Sequence, residues 1–382
     1  MGPLQGVRVI EFEAIGPAPF AGMLLADMGA DVLIVDRPQA ADLGLKRSRK
    51  VALTNRGKRS LTLDLKSPEA AQAALALAER ADVLLEGFRP GVMERLGLGP
   101  EVVLARNPRL VYGRMTGWGQ DGPLAPRAGH DINYVALTGI LAAIGRPGQA
   151  PVPPLNLVGD FGGGGMLMGF GIACALFEAK HSGQGQVVDA AMVEGASLLA
   201  TSFSGMLASG AWREERGTNI LDTGAPWYEV YETADGHHVC VGAIEARFYD
   251  ELLLRLGLAG AGLPAQHDRA GWPVLRERFE SAFKSKTRAA WEEAFAGADA
   301  CFAPVLTFTE ARRHPHNVAR ASFIKVAGID QPAPAPKLSR TPPQVQSAPP
   351  ERGEGGAAAL KDWGYSPDEV HRLKSLGVAF SA

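Results

Sequence analysis

The fold is decided near the N-terminus by the stretch VRVIEFEAIGPAPFAGMLLADMGADVLIVD, which covers residues 7–36. Residues 7–12 and 31–36 are short apolar runs of the kind that form buried strands. Residues 17–28 have the length and composition of a helix, which Pro17 opens and Gly29 ends. A strand, a helix and a second strand of these lengths predict a βαβ unit within a parallel sheet.

The same alternation continues outward from this unit. Further strands are predicted at residues 61–65, 82–87 and 109–115. Helices are predicted at residues 67–80, 130–144 and 162–180, and the run at residues 187–192 is predicted to continue into a helix toward Phe203. Ser67 and Pro68 suit the cap and the first position of the first of these helices. The pattern therefore predicts an α/β fold.

The second half of the chain has a different organisation. Residues 204–224 are rich in Gly, Ser and Thr and are predicted to form a connector. Residues 228–244 alternate and turn at Asp235-Gly236, which predicts a hairpin. Helices are predicted near residues 248–256, 272–283 and 287–295, which makes a smaller α+β unit. Residues 331–350 contain seven prolines and are predicted to be extended, and residues 366–376 form a last helix.

Composition excludes several classes of protein. The chain has 382 residues, 46% of them hydrophobic, and a net charge of −2, which argues against disorder and against a general nucleic-acid binder. Its three cysteines are far apart, so we expect buried or partly buried free thiols rather than disulfides or a zinc site. The first residues do not resemble a secretory signal, and residues 161–177 are predicted as a buried helix rather than a membrane span. The cytoplasm is the expected compartment.

A basic run is the main local departure from neutrality. Residues 45–60 contain no acid and carry these cations: Lys46, Arg47, Arg49, Lys50, Arg56, Lys58 and Arg59. Three interpretations stay open for this run alone: a site for a polyanion such as CoA, a solvated loop, and a nucleic-acid contact. Arg37 and Arg89 follow predicted strands, where ligands bind in open α/β sheets. The turn at Gly16 lacks the glycine pattern of a dinucleotide site.

Three titratable residues stand out for their chemistry. His130 lies at a predicted helix start, where the positive end of the dipole favours a neutral imidazole. Asp160 directly precedes a glycine-rich segment that can offer backbone N–H groups to an oxyanion. Glu245 follows a strand-like run. Each also fits a bland role: a hydrogen-bonded structural histidine, a helix cap and a solvated surface acid.

Three longer sequence strings favour functional roles for these residues over the structural ones. They are YGRMTGWGQ at residues 112–120, GHDINY at residues 129–134 and PPLNLVGD at residues 153–160. Together they resemble the class III CoA-transferase (CaiB/BaiF) family, over about residues 3–336, and within it the α-methylacyl-CoA racemase branch. The racemase branch is indicated by the string that contains His130, whereas Asp160 matches an aspartate that both branches share.

The resemblance implies an architecture. It predicts a large Rossmann-like domain with a parallel sheet, a smaller α+β domain, and an interlocked homodimer whose linkers wrap the partner. The corresponding boundaries are residues 1–190 for the large CoA-binding domain, 191–225 for a linker, 226–320 for the small domain, and 321–382 for a return linker and C-terminal segment. The family needs no metal or separate cofactor, since CoA is part of the substrate, and neither nucleic acid nor membrane is an expected partner.

The resemblance also implies roles for individual residues. The implied CoA-binding residues are Arg37, Asn55, Arg56, Gly57, Lys58, Arg59, Arg89, Gly129, Asp131, Ile132, Asn133 and Tyr134. His130 and Asp160 would be opposed acid–base groups, and Glu245 would hold the histidine. Backbone donors of Asp160, Phe161 and Gly162 would form the oxyanion site.

The predicted reaction is interconversion of (2R)- and (2S)-2-methylacyl-CoA thioesters by proton transfer through an enolate. We further predict that burial raises the pKa of Asp160. The alternative is a CoA-transferase in which Asp160 forms an acyl anhydride, and a non-enzymatic CoA-sensing or nucleic-acid-binding module is a third possibility.

Overall fold

The computed structural model describes residues 2–40 and 48–381. Lys46 and Arg47, which belong to the basic run, lie outside the described residues. The chain forms two compact units. The large domain comprises Met1–Thr138, Leu155–Ala200 and Ala319–Ala382, and the small domain comprises Gly139–Pro154 and Thr201–Val318. Residues 139–154 therefore group with the small domain, although they interrupt the large one.

A six-stranded parallel sheet forms the centre of the large domain. Its strands are β1 (Arg8–Phe12), β2 (Asp31–Asp36), β3 (Lys58–Thr62), β4 (Val83–Glu86), β5 (Val111–Thr116) and β6 (Val187–Ala191). Their order is β3-β2-β1-β4-β5-β6, and each neighbouring pair is parallel. The predicted α/β fold with a parallel sheet is thus confirmed. The order reverses between β1 and β4, which creates a crevice at their carboxyl ends.

Helices cover both faces of this sheet because its strands are apolar on both sides. The large-domain helices are α1 (Pro17–Asp27), α2 (Ala70–Ala78), α3 (Val92–Arg95), α4 (Pro100–Arg106), α5 (Asp131–Ala136), α7 (Leu167–Ser182), α8 (Met192–Leu199), α15 (Gly356–Asp362) and α16 (Pro367–Ser375). Short 3₁₀ turns span Arg49–Val51 and Leu53–Asn55, and a π-helix spans Leu157–Met166. One core layer contains Leu33 and Leu84, and the other contains Val32 and Val83.

The C-terminal segment of the large domain closes the β3 edge of the sheet. The Thr62 N–H donates to the Ala379 carbonyl at 2.7 Å, and the Ser60 N–H donates to the Glu354 carbonyl at 2.8 Å. Trp363, between α15 and α16, is almost completely buried in the core beside them. A hairpin of β10 (Phe323–Val326) and β11 (Ile329–Pro332) precedes this segment. Covering an edge strand in this way removes a site for unwanted strand pairing.

The small domain is an antiparallel sheet packed with helices. Its strands are β7 (Tyr228–Glu232), β8 (His238–Gly242) and β9 (Phe302–Pro304). Its helices are α6 (Ile140–Ala143), α9 (Thr201–Ala208), α10 (Ala246–Leu256), α11 (Trp272–Phe283), α12 (Arg288–Ala294), α13 (Phe308–Ala311) and α14 (Pro315–Ala319), with a 3₁₀ turn at Arg269–Gly271. The hairpin predicted to turn at Asp235-Gly236 is confirmed. Trp227, Phe279, Phe283 and Trp291 form the centre of its core.

Several predicted elements have different bounds. The third strand begins at Lys58, three residues before its predicted start. The charged ends of Lys58 and Arg59 bind carboxylates of β1 and β2, which lets these two residues join the sheet. The helix predicted at residues 67–80 spans only Ala70–Ala78 and is capped at Glu69 instead of Ser67. The predicted connector at residues 204–224 begins inside α9.

Glycine explains two further differences. The helix predicted at residues 130–144 is two short helices, separated where Gly139 adopts a φ of 84°. The helix predicted at residues 162–180 begins as a π-helix at Leu157 and becomes α-helical at Leu167. The start of this segment packs tightly, since a Cβ on Gly163 would lie 2.4 Å from the Ala196 nitrogen.

The prediction that this apolar helix is buried is wrong for the single chain. In the most apolar 18-residue stretch of Leu157–Ser182, only 33% is buried. Phe170 and Phe177 of α7 are 67% and 69% exposed. Length and composition alone would let this segment cross a membrane, but the core helix of a soluble protein passes the same test. Two cysteines differ from expectation, since Cys174 and Cys301 are exposed, whereas Cys240 is half-buried as predicted.

Candidate active site

Asp160 lies at the crevice where the strand order reverses. Gly16 follows β1 and opens α1, and a Cβ on Gly16 would lie 3.3 Å from the Asp160 Oδ2. Gly16 has a φ of 67° and a ψ of −117°, a conformation that a side chain strongly disfavours. The absence of a side chain on Gly16 therefore leaves the Asp160 carboxylate accessible beside the carboxyl end of the central strand.

The local sequence explains how Asp160 is presented. It lies in the first turn of the π-helix, a wider form that is often found at functional sites. The glycines that follow allow close contact with α1 and α8, since a Cβ on Gly165 would lie 2.8 Å from the Pro17 carbonyl oxygen. The glycines of this segment thus allow close backbone packing, in addition to the predicted donation of backbone N–H groups to an oxyanion.

The surroundings of Asp160 raise its proton affinity. Burial raises the pKa of its carboxyl, the nearby Asp131 carboxylate raises it further, and the Asn156 amide and His130 oppose both effects. The Asn156 Nδ2 donates to the Asp160 Oδ2 at 3.0 Å. The raised pKa confirms the predicted direction. Asn156 was missed in the sequence, although its i, i+4 spacing from Asp160 was a usable signal.

One predicted oxyanion donor is wrong. The Asp160 N–H already donates to the Asp131 Oδ1 at 2.6 Å, so it is not free for a thioester oxygen. Phe161 and Gly162 lie in the π-helix just after it, and their roles as donors stay a prediction.

His130 is an exposed residue at the N-terminal boundary of α5. Its backbone N–H donates to the Asn133 Oδ1 at 3.0 Å, which fixes the start of the helix. The Tyr134 hydroxyl donates to the Gly129 carbonyl at 2.5 Å, and the Tyr134 ring packs edge-on against Trp118. Gly129, Asn133 and Tyr134 therefore hold the segment that carries His130, whereas Ile132 is partly exposed beside it.

His130 and Asp160 belong to one site in the large domain. The charge of His130 influences the Asp160 carboxyl, and Asp131, the residue after His130, binds the Asp160 backbone directly. An imidazole exposed to solvent and a partly buried carboxyl next to it are suited to exchanging protons with a bound substrate.

Two predicted CoA ligands are instead internal ion pairs. Lys58 is completely buried, and its ammonium donates to both Glu11 carboxylate oxygens and to the Pro19 carbonyl, at 2.6–2.9 Å. Arg56 is also buried and donates to both oxygens of Asp27. As phosphate ligands these two residues are wrong, since their donors already have partners inside the domain.

The other residues of that segment are also partly engaged. Arg59 binds Asp31 and, at 2.6 Å, Asp362. The buried Gly57 donates its N–H to the Ser347 carbonyl, and Asn55 ends a 3₁₀ turn. Contacts of Asn55, Gly57 and Arg59 with CoA stay predictions.

Arg37 and Arg89 remain the better candidates for phosphate contacts. Arg37 is half-buried directly after β2, and Arg89 is exposed after β4. The charge of Arg89 lowers the pKa of Tyr134, although burial leaves that pKa at about 12. Arg89 is therefore close to the segment that carries His130.

Glu86 supports the Arg89 turn and was not predicted from the sequence. Its Oε2 accepts the Phe88 N–H at 2.7 Å, and its Oε1 accepts from the Arg114 Nε at 3.0 Å. Burial raises the pKa of Glu86 to about 7. The turn after β4 is thus held by a buried carboxyl.

Glu245 lies in the small domain. It is exposed and occupies the N-terminal boundary of α10. Its predicted contact with the histidine stays a prediction.

The family follows from the sequence as a whole. The profile of CoA-transferase family III matches residues 4–355. The chain belongs to CoA-transferase family III. This family III protein is 50% identical over 375 residues to alpha-methylacyl-CoA racemase of Mus musculus, which covers 97% of this chain and 96% of that protein. It is 46% identical over 375 residues to alpha-methylacyl-CoA racemase of Homo sapiens, with the same coverage.

A solved family structure has the same fold. The crystal structure of a CAIB/BAIF family protein from Brucella suis superposes on this family III protein with a TM-score of 0.83 and 26% identity. The match covers 95% of this chain and 99% of that chain. The family resemblance expected from the three strings is therefore confirmed.

Proposed function

We propose that this family III protein is a racemase that interconverts the (2R) and (2S) forms of 2-methylacyl-CoA thioesters. The observation that carries the proposal is the pairing of His130 with a partly buried Asp160 of raised pKa at the strand-end crevice. The 50% identity to the mouse racemase supports the same reaction class.

The two proposed bases, His130 and Asp160, differ in their reference pKa values. Reference pKa values near 6.5 for His and 3.9 for Asp differ by about 2.6 units, or roughly 3.5 kcal/mol. Raising the pKa of Asp160 narrows this gap, which makes both exchange states accessible. In one state His130 is neutral and Asp160 carries the proton, and in the other the proton is on His130.

Catalysis removes the α-proton to one base and returns a proton from the other, so the substrate inverts with no net change in atoms. Backbone donors at Phe161 and Gly162 would stabilise the enolate oxygen, and one such donor is typically worth about 2.7–4 kcal/mol. The reaction needs no metal or redox cofactor, and we expect it to take place in the cytoplasm.

CoA would bind across the crevice of the large domain. Arg37 and Arg89 would meet its phosphates, because they follow β2 and β4, whose carboxyl ends lie at the same edge of the sheet as the crevice. The acyl thioester would reach His130 and Asp160 beside Gly16.

The test is α-proton exchange in D₂O with a single enantiomer of a 2-methylacyl-CoA. The proposal expects deuterium incorporation together with inversion. His130→Gln should leave exchange of only one enantiomer, without inversion, because Asp160 still serves one face. Transfer of CoA to an added carboxylic acid, without deuterium at the α-carbon, would instead support the transferase alternative, and hydroxylamine would then trap an Asp160 acyl group.

A homodimer with interlocked subunits would cover the apolar face of the large domain. Met166, Phe170 and Phe177 recur at helical spacing along the π-helix and α7, and each is more than half exposed. Phe170→Glu with Phe177→Glu should yield monomers by light scattering. Phe308→Glu, a change at the exposed α13 of the small domain, is the matched control and should leave the mass unchanged. A monomeric unchanged protein would contradict the dimer.

A further inference from the structure

Asp131 is a carboxylate that the proposed reaction does not use, and it is more deeply buried than either base. It is 5% exposed, whereas Asp160 is half-buried and His130 is exposed. It begins α5 directly after His130, so its position ties the histidine segment to the π-helix.

One oxygen of Asp131 holds the backbone of Asp160. Asp131 Oδ1 accepts the Asp160 N–H at 2.6 Å. A Cβ on Gly159 would lie 2.5 Å from the same oxygen, so the approach depends on glycine at that position. The contact therefore fixes the turn from which the Asp160 side chain projects.

The other oxygen of Asp131 has no neutralising partner. Asp131 Oδ2 is buried, and it forms no hydrogen bond or salt bridge within residues 2–40 and 48–381. A buried anion without a cation disfavours a second negative charge nearby, so it favours the protonated form of Asp160. His130 and Asn156 act in the opposite direction. The Tyr134 phenol is influenced by both carboxylates, and Arg89 acts on that phenol.

We propose that Asp131 is a positioning residue for Asp160, with Oδ1 setting the geometry of the base and the charge near Oδ2 keeping it able to carry a proton. The role rests on the proposed racemase function, in which Asp160 must act as an acid in one direction. A negative charge that served only the fold would be replaceable by a neutral acceptor of the same shape.

The first experiment needs no substrate. The intact protein is labelled with ¹³C at aspartate carboxyls, and the Asp160 signal is assigned as the one that disappears in Asp160→Asn. In Asp131→Asn, which keeps an acceptor for the Asp160 N–H, the midpoint of this signal should move to lower pH. A midpoint that does not move, in a variant whose thermal unfolding is unchanged, overturns the proposal.

The second experiment uses the rate of deuterium exchange against pH. Asp131→Asn should slow exchange about 10-fold and move the acid limb of the profile to lower pH, because Asp160 loses its proton more readily. Asp131→Ala, which also frees the Asp160 backbone, should slow it about 100-fold. Asp131→Glu, which keeps the charge, should restore the position of the acid limb.

The outcomes separate the two proposals. If the unchanged protein exchanges no α-proton, the racemase proposal fails, while the carboxyl titration still decides the role of Asp131. If all three variants slow exchange equally with an unshifted acid limb, Asp131 has only a structural role and the inference is overturned.

Discussion

Two groups of buried or half-buried carboxylates in the large domain differ in their partners. Glu11 and Asp27 each bind a buried cation, Lys58 and Arg56, at 2.6 Å. Asp131 and Asp160 form no salt bridge with a lysine or arginine in the described parts of the chain. The first pair of carboxylates joins strands and helices, whereas the second lies at the crevice. The comparison teaches that a buried carboxylate paired with a cation stabilises the fold, whereas one without a cation can raise the pKa of a neighbouring acid or exchange protons itself.

The largest effect should come from removing the unpaired base. Asp160→Asn should lower exchange and inversion by about 10²–10⁴, since a positioned acid or base contributes about that factor. Its free energy of unfolding should fall little, or even rise, because no salt bridge is lost. Racemisation measured by chiral chromatography and urea unfolding check both parts. Full racemase activity in Asp160→Asn would contradict the proposed role of Asp160 as an acid–base group.

Breaking the buried Glu11–Lys58 ion pair should instead lower stability. Lys58→Met leaves Glu11 buried and unpaired, and should lower the free energy of unfolding by about 3–5 kcal/mol. The double change Glu11→Leu with Lys58→Met should recover most of this loss, because both charges are removed together. Urea unfolding of the single and double variants measures it. A double variant less stable than Lys58→Met would show that the pair is not an isolated unit.

A smaller effect should come from the contact that leaves Asp160 accessible. Gly16→Ala adds a Cβ 3.3 Å from Asp160 Oδ2 and strains a backbone with φ of 67°, which costs about 1–3 kcal/mol. Exchange should slow roughly 10-fold beyond the loss of stability. Gly6→Ala is the matched control: Gly6 has a φ of 87° but no atom within 4 Å of its Cβ. Equal losses of activity in both variants would mean that strain alone is responsible.

The smallest effect should come from an exposed pair. The Arg106 Nη1 and the Glu79 Oε1 lie 3.0 Å apart, and both side chains are exposed. Arg106→Met should change the free energy of unfolding by less than about 0.5 kcal/mol, because water and salt screen such pairs. Urea unfolding at low and high salt measures this. A cost comparable to that of Lys58→Met would mean that burial is not what distinguishes the framework pairs.

The sequence predicts five of the six strands because each is a local pattern of apolar residues, but it misses β6, whose residues were assigned to the run before a helix. It fails at β3, where Lys58 and Arg59 look like loop residues until Glu11 and Asp31 are known to meet them from other strands. The same non-local pairing makes the basic run misleading. Its charge suggested phosphate ligands, whereas four of its described cations bind carboxylates of the same domain: Arg49, Arg56, Lys58 and Arg59.

The site is predictable in part for the same reason. His130 and Asp160 are marked by the strings around them, and the glycine before each is visible. The contact between Asp131 and the Asp160 backbone joins segments 29 residues apart through a π-helix, which no local periodicity indicates. Asn156 was not predicted as a site residue. Its spacing of four residues from Asp160 is visible in the sequence, but its hydrogen bond to the Asp160 carboxylate is not.

The closure of the β3 edge has a consequence for the nascent chain. Strand β3 is complete at Thr62, but the segment that pairs with its far side begins only near Gly353. At about 5–20 residues per second, a ribosome needs roughly 15–60 s to make the intervening chain. During that interval the small domain can fold while the sheet of the large domain keeps an open edge. Newly made copies on the same messenger are therefore most prone to pair with one another before the C-terminal segment is released.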